Sequence, residues 1–204
     1  MKIRLLFLLL LSLSSLGVAS DATVSADAKP SSANIAGQKY PMVDSQSRVT
    51  FGIKAPDAKK IQVDFGGKKY DMTKDAEGVW TVTSDPQAPG FHYYSLLING
   101  VSVVDPSTET FYGCGRMSSG VEVPENGVDF YDVKDVPHGD IRTKWYFSKT
   151  ANAWRRCFVY LPPQYDADKS TRYPVLYLQH GGGEDERGWG MQGRANFILD
   201  NLIA

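Results

Sequence analysis

Six consecutive residues near the end of the 204-residue chain, His180-Gly181-Gly182-Gly183-Glu184-Asp185, have the composition of a turn that works through its backbone. Glycines let the main chain approach a substrate with no side chain in the way. Acyl transfer passes through an oxyanion, and fixed N–H groups aimed at that oxygen supply much of its stabilisation. The turn follows the apolar run Val175-Leu176-Tyr177-Leu178 and precedes a stripe of Ala195, Ile198, Leu199 and Leu202 at i, i+3, i+4 and i+7. A strand buried on both faces, a glycine turn and a helix are the setting such an oxyanion-binding turn requires. The plainer alternative is a strand-to-helix turn without chemistry.

Other chemistries fit less well. A phosphate loop would carry Lys-Ser/Thr or a second glycine pattern at the start of the helix. His180 has no partner at metal-ligand spacing, since His92 and His138 fall in other units. Its expected part is structural, a ring hydrogen bond that holds the loop. Adjacent loop acids such as Glu184 and Asp185 are ordinarily solvated and do not make a glycosidase pair. No cofactor and no metal are expected.

A serine hydrolase of the α/β type also needs a G-x-S-x-G turn, then an acid, then a histidine. Ser118 and Ser119, between Gly115 and Gly120, stand at the wrong offsets, and no histidine follows His180. The expectation is therefore a fragment of a longer gene product, or a broken reading frame, without nucleophile, acid or base. It should hydrolyse no ester alone. Residues 139–204 should also lack neighbours for their buried strand.

The elements that position the turn begin with period-two patterns between residues 39 and 113. Val49, Phe51 and Ile53 alternate, as do Ile61, Val63 and Phe65, Trp80 and Val82, and Tyr94, Leu96 and Ile98. Gly66-Gly67, Glu77-Gly78, Pro89-Gly90 and Asn99-Gly100 separate them, the last a hairpin signal. Short strands with no helix between them predict an antiparallel sandwich. Trp80 and Tyr94 fall on its core positions, which leaves Phe91 and Tyr93 as candidates for stacking on sugar rings. Residues 114–138 read as a linker. From 139 the pattern changes to a hairpin, with Ile141, Thr143, Trp145 and Phe147 facing Trp154, Arg156, Phe158 and Tyr160, and then to the α/β sequence described above.

At the N-terminus, Lys2 and Arg4 precede the apolar run Leu5–Leu13, and small residues follow to Ser20. This is the pattern of a signal peptide over residues 1–20, cleaved near Ser20, and its apolar run is too short to span a bilayer. Export to the periplasm or the exterior follows. Residues 21–38 hold only Val24 and Ile35 as sizeable apolar groups and are expected to form a flexible leader. Beyond residue 20 the chain has 20 basic against 23 acidic residues, a balance that points to neither nucleic acid nor an anionic membrane as partner. Oligomeric state is not encoded. Cys114 and Cys157 fall in different units and are read as free thiols, although export would permit a bridge.

Several segments taken together carry a resemblance. Ala55-Pro56-Asp57-Ala58 and Glu77-Gly78-Val79-Trp80 resemble an early-set immunoglobulin-like module. Asp105-Pro106, Phe111-Tyr112-Gly113, the stretch Ser119 to Pro124, the stretch Arg155 to Pro163, and Tyr177-Leu178-Gln179-His180-Gly181-Gly182-Gly183 follow in order. From about Gln46 to Ala204 the chain resembles the secreted feruloyl-esterase-like proteins of carbohydrate esterase family one, close to the enterochelin esterases. The resemblance implies an all-β immunoglobulin-like (early-set) sandwich followed by the incomplete N-terminal part of an α/β-hydrolase domain, with a small-molecule or glycan ester as substrate. By position it places the first oxyanion donor on the backbone N–H of Gly182, with Gly181 and Gly183 shaping the turn. It makes Trp189 either a wall of the acyl pocket or a residue that packs the helix. The alternative function is a non-catalytic glycan-binding or scaffold module attached to an esterase.

Overall fold

The computed structural model describes residues 24–168 and 170–204, so the expected signal peptide lies outside the described residues. Thirteen strands and one helix follow in chain order: β1 (Lys29–Pro30), β2 (Met42–Val43), β3 (Val49–Lys54), β4 (Ile61–Phe65), β5 (Lys68–Asp71), β6 (Thr73–Lys74), β7 (Val79–Thr83), β8 (Gly90–Ile98), β9 (Val101–Val103), β10 (Thr110–Gly113), β11 (Arg116–Val123), β12 (Asp140–Ser148), β13 (Ala153–Leu161) and α1 (Ala195–Ile203).

Alternation explains the packing. One sheet runs β1-β2-β3-β7-β6, and the other runs β10-β11-β8-β4-β5 with β9 added beside β8. Val49 and Phe51 of the first sheet meet Ile61, Val63, Phe65, Tyr94, Leu96, Val121 and Val123 of the second in one buried cluster. Phe51 sits 5.1 Å from Phe65 and 4.8 Å from Tyr94, centroid to centroid. The two sheets therefore share one apolar core in a sandwich. Trp80 and Tyr94 belong to that core. The Tyr94 hydroxyl donates to Asp105 at 2.8 Å, and burial, then the Asp105 charge, push the phenol well above its ordinary range. Asn99 and Gly100 both have positive φ and close the two-residue β8–β9 turn.

Four expectations need correction. Residues 29–35 of the expected leader are docked. Ser31 and Ala33 are buried, Ile35 N–H donates to Ser107 O at 2.9 Å, and Glu109 N–H donates to Ala33 O at 3.0 Å. Backbone hydrogen bonds and two small side chains hold this segment, without the large apolar anchor that the leader argument required. Second, the sheet does not end at residue 113. β11 lies within the expected linker and pairs with β8 from Ser119↔Tyr94 to Val123↔Gly90. Its Ser119 takes a core position, where it accepts the Asp105 N–H at 2.7 Å.

Third, Val175-Leu176-Tyr177-Leu178 forms no strand and is exposed, Tyr177 at 89%. A strand needs ladder partners for its N–H and C=O groups, and β12 and β13 pair only with each other, from Asp140↔Leu161 to Ser148↔Ala153. Of the expected strand, glycine turn and helix, the strand does not form. Fourth, α1 does not bury its apolar stripe. Leu202 is 73% exposed, whereas Asp200 is 1% exposed. Asp200 accepts hydrogen bonds from the Tyr160 hydroxyl at 2.6 Å, the Gly139 N–H at 2.8 Å and the His138 ring at 2.8 Å. These three bonds tie the helix to β13 and to the segment before β12.

Candidate functional site

The glycine turn has a defined geometry. Glu184 N–H donates to Gly181 O at 3.3 Å, and Gly183 has φ 81°. A positive φ at the third residue of a four-residue turn favours glycine. Gly182 occupies the outer corner with negative or extended φ, and a Cβ there would meet nothing within 4 Å. Its N–H makes no hydrogen bond among the described residues. The His180 ring donates from Nδ1 to Gly181 O at 2.9 Å.

The sandwich holds this turn from below. Cys114 and Gly115, both at positive φ, form the two-residue turn between β10 and β11. Gly115 N–H donates to Gly183 O at 2.8 Å, and a Cβ on Gly183 would lie 3.0 Å from Cys114 Cα. Next to it, the Tyr93 hydroxyl donates to Glu184 Oε1 at 2.8 Å and accepts from Gln192 Nε2 at 2.6 Å. Burial, then the Glu184 carboxylate, raise the Tyr93 phenol well above its usual range, so it remains a donor. Asp185 is held below the ordinary carboxylate range by its hydrogen bonds to Arg187, whose guanidinium stacks 5.0 Å over the Tyr112 ring. Arg156 pairs with Glu186. The acids that follow the glycines are therefore paired side chains, not free ones.

The remaining sequence candidates sit as follows. Trp189 is 45% exposed, and its indole N–H donates to Gln179 O at 3.0 Å, across the base of the turn. Phe91 and Tyr93 lie on the outer face of their sheet, opposite the core residue Tyr94, and are half-buried beneath the C-terminal segment. Tyr93 is committed to Glu184 and Gln192, so it is no open stacking platform. Cys114 is exposed, Cys157 half-buried, and both are free. The sequence reading missed Glu184 and Gln192 as partners of Tyr93, and His138 and Tyr160 as partners of the buried Asp200. Each joins residues 40 to 99 positions apart, where no local spacing signal exists. Among the described residues no group of three or more His, Cys, Asp or Glu could hold a metal, and no helix is long and apolar enough to cross a membrane.

No family model matches the chain. Partial overlays exist with an enterobactin esterase from Shigella flexneri (TM-score 0.48, 15% identity, 76% of this chain and 48% of that one) and a ferric enterobactin esterase from Salmonella typhimurium (TM-score 0.40, 16% identity, 54% and 40%). A pullulanase from Paenibacillus barengoltzii overlays on 37% of this chain and 13% of its own, with TM-score 0.29 and 24% identity. In sequence the chain is 45% identical over 186 residues to a protein of Xylanibacter ruminicola named endo-1,4-beta-xylanase/feruloyl esterase. That match takes in 87% of this chain and 26% of the relative. The chain is thus similar, over nearly all of its length, to about a quarter of a curated protein that bears an esterase name.

Proposed function

We propose that this chain is part of an exported, serine-type carboxylic ester hydrolase that releases feruloyl or other acyl groups from plant glycans. The observation that carries this reading is the 45% identity to the xylanase/feruloyl esterase over 87% of the chain. In the same reading the sandwich is an immunoglobulin-like early-set module, and residues 139–204 begin an α/β-hydrolase domain. Gly182 presents its N–H to the oxyanion, which agrees with a corner residue whose N–H is uncommitted and whose surroundings are open. The chemistry would run through an acyl-enzyme, and its nucleophile and base come from residues outside this chain. Trp189, beside the turn, would wall the acyl pocket.

The test is hydrolysis of methyl ferulate by the full-length gene product, with substitutions at the corner. Gly182→Ala keeps the N–H and has room for its methyl, so it should retain near-normal kcat. Gly182→Pro removes the donor and should lower kcat by roughly 10² to 10³ with KM little changed. A proline variant that folds and turns over normally removes Gly182 from the oxyanion site. A full-length protein without esterase activity sinks the reading as a whole.

A further inference from the structure

The Gly182 N–H belongs to the same peptide unit as the Gly181 carbonyl. That unit is planar and trans, so whatever fixes the carbonyl oxygen fixes the direction of the N–H, which points the opposite way. Two donors hold Gly181 O, the His180 ring at 2.9 Å and the Glu184 N–H at 3.3 Å. The peptide unit that carries the Glu184 N–H is held at its other end, where Gly183 O accepts the Gly115 N–H from the β10–β11 turn at 2.8 Å. Gly182 itself would have nothing within 4 Å of a Cβ. It therefore takes its orientation from these neighbours.

The Glu184 side chain adds a second tie to the sandwich. Its Oε1 accepts the Tyr93 hydroxyl at 2.8 Å. Its Oε2 folds back over the segment, 3.7 Å from where a Cβ on Gly181 would stand and 3.4 Å from where one on Gly188 would. Glu184 is thus held by its backbone on the turn and by its carboxylate on β8. Tyr93 is fixed in its own place. Its ring lies against Gly113 of β10, where a Cβ would come within 2.2 Å of it, and meets the Phe91 ring edge-on at 5.0 Å. Gln192 Nε2 donates to its hydroxyl at 2.6 Å. The single phenolic proton goes to Glu184, since the approach to Tyr112 O is longer, at 3.5 Å.

We propose that Tyr93 is a positioning residue for the oxyanion donor, acting through Glu184 on the peptide unit that carries the Gly182 N–H. The proposal rests on the ester-hydrolase reading and makes the sandwich a working part of that site, in place of a detachable module. Donors stabilise an oxyanion because they are oriented before the charge develops. Loosening Glu184 leaves the N–H present but free to turn, which weakens the transition state and spares ground-state binding.

The test uses the full-length gene product and methyl ferulate, each variant assayed at a temperature where circular dichroism shows it folded. Tyr93→Phe keeps the ring and removes the hydroxyl. It should lower kcat about fivefold with KM unchanged, a smaller loss than that of Gly182→Pro because the donor survives. Glu184→Ala should lose as much, and the double variant no more than either alone. Glu184→Gln should keep near-parent kcat, because its amide oxygen still accepts from Tyr93. Affinity for a boronic acid whose tetrahedral adduct carries the oxyanion should fall in step with kcat, while affinity for ferulate, the product, should not. A folded Tyr93→Phe with parental kcat overturns the proposal. So does a loss confined to KM, or a Glu184→Gln as impaired as Glu184→Ala. A parent without esterase activity removes the ester-hydrolase reading and this proposal with it, whereas an active parent that is indifferent to Tyr93→Phe removes this proposal alone.

Discussion

At the scale of single residues, adjacent glycines carry different demands. Gly183 combines φ 81° with a close approach to Cys114, whereas Gly182 has neither constraint. A non-glycine residue in the left-handed region costs roughly 1–2 kcal/mol. Gly183→Ala should therefore loosen the turn and break the bond from Gly115 N–H. Hydrogen exchange at the Gly115 amide should rise about tenfold, while Gly182→Ala leaves it unchanged. Asp200 responds to pH. Burial opposes its charge, but the Tyr160 hydroxyl, the Gly139 N–H and the His138 ring outweigh that and hold its carboxyl below the ordinary value. The folded-state value lies below the unfolded one, so its contribution is complete above about pH 5 and is lost as pH falls through the folded-state value. In an acid titration the amides of α1 should lose protection before those of the sandwich core, and Asp200→Asn should abolish that difference.

At the scale of elements, the strands that could be read from sequence were those whose core positions are filled by large apolar residues. Val49 and Phe51, or Ile61, Val63 and Phe65, announce themselves by alternation. β11 does not, because it places Ser119 in the core and needs Gly120 under the Phe91 ring, so the segment looks like a linker. Residues 29–35 were hidden for a related reason, since backbone pairing to Ser107 and Glu109 leaves no hydrophobic trace. The run at Val175 misleads in the other direction: its composition fits a buried strand, but no described neighbour offers it a ladder. Limited proteolysis tests this division. Residues 29–35 should be protected, and first cuts should fall in 124–139 or 170–180. Early cleavage at Ser31 to Ile35 would contradict the docked segment.

At the scale of the whole molecule, the glycine turn belongs to the sandwich as much as to its own segment. Gly115, Tyr93 and Tyr112 all reach the residues around it. None of this was legible in the sequence, because each contact spans at least 68 positions and depends on which face of β8 turns outward. The bond from Tyr93 to Glu184 should be worth about 1 kcal/mol. A double-mutant cycle with Tyr93→Phe and Glu184→Ala, read by urea unfolding, should give a coupling of that order. No coupling would mean that the two parts are independent in solution.

The turn between β10 and β11 carries one more property. Cys114 stands exposed at its tip with a free thiol, next to the Gly183 carbonyl, while Cys157 is half-buried. A spin label or fluorophore attached there would sit on the seam between the sandwich and the glycine turn. The protein thus carries its own attachment point for a probe of that seam.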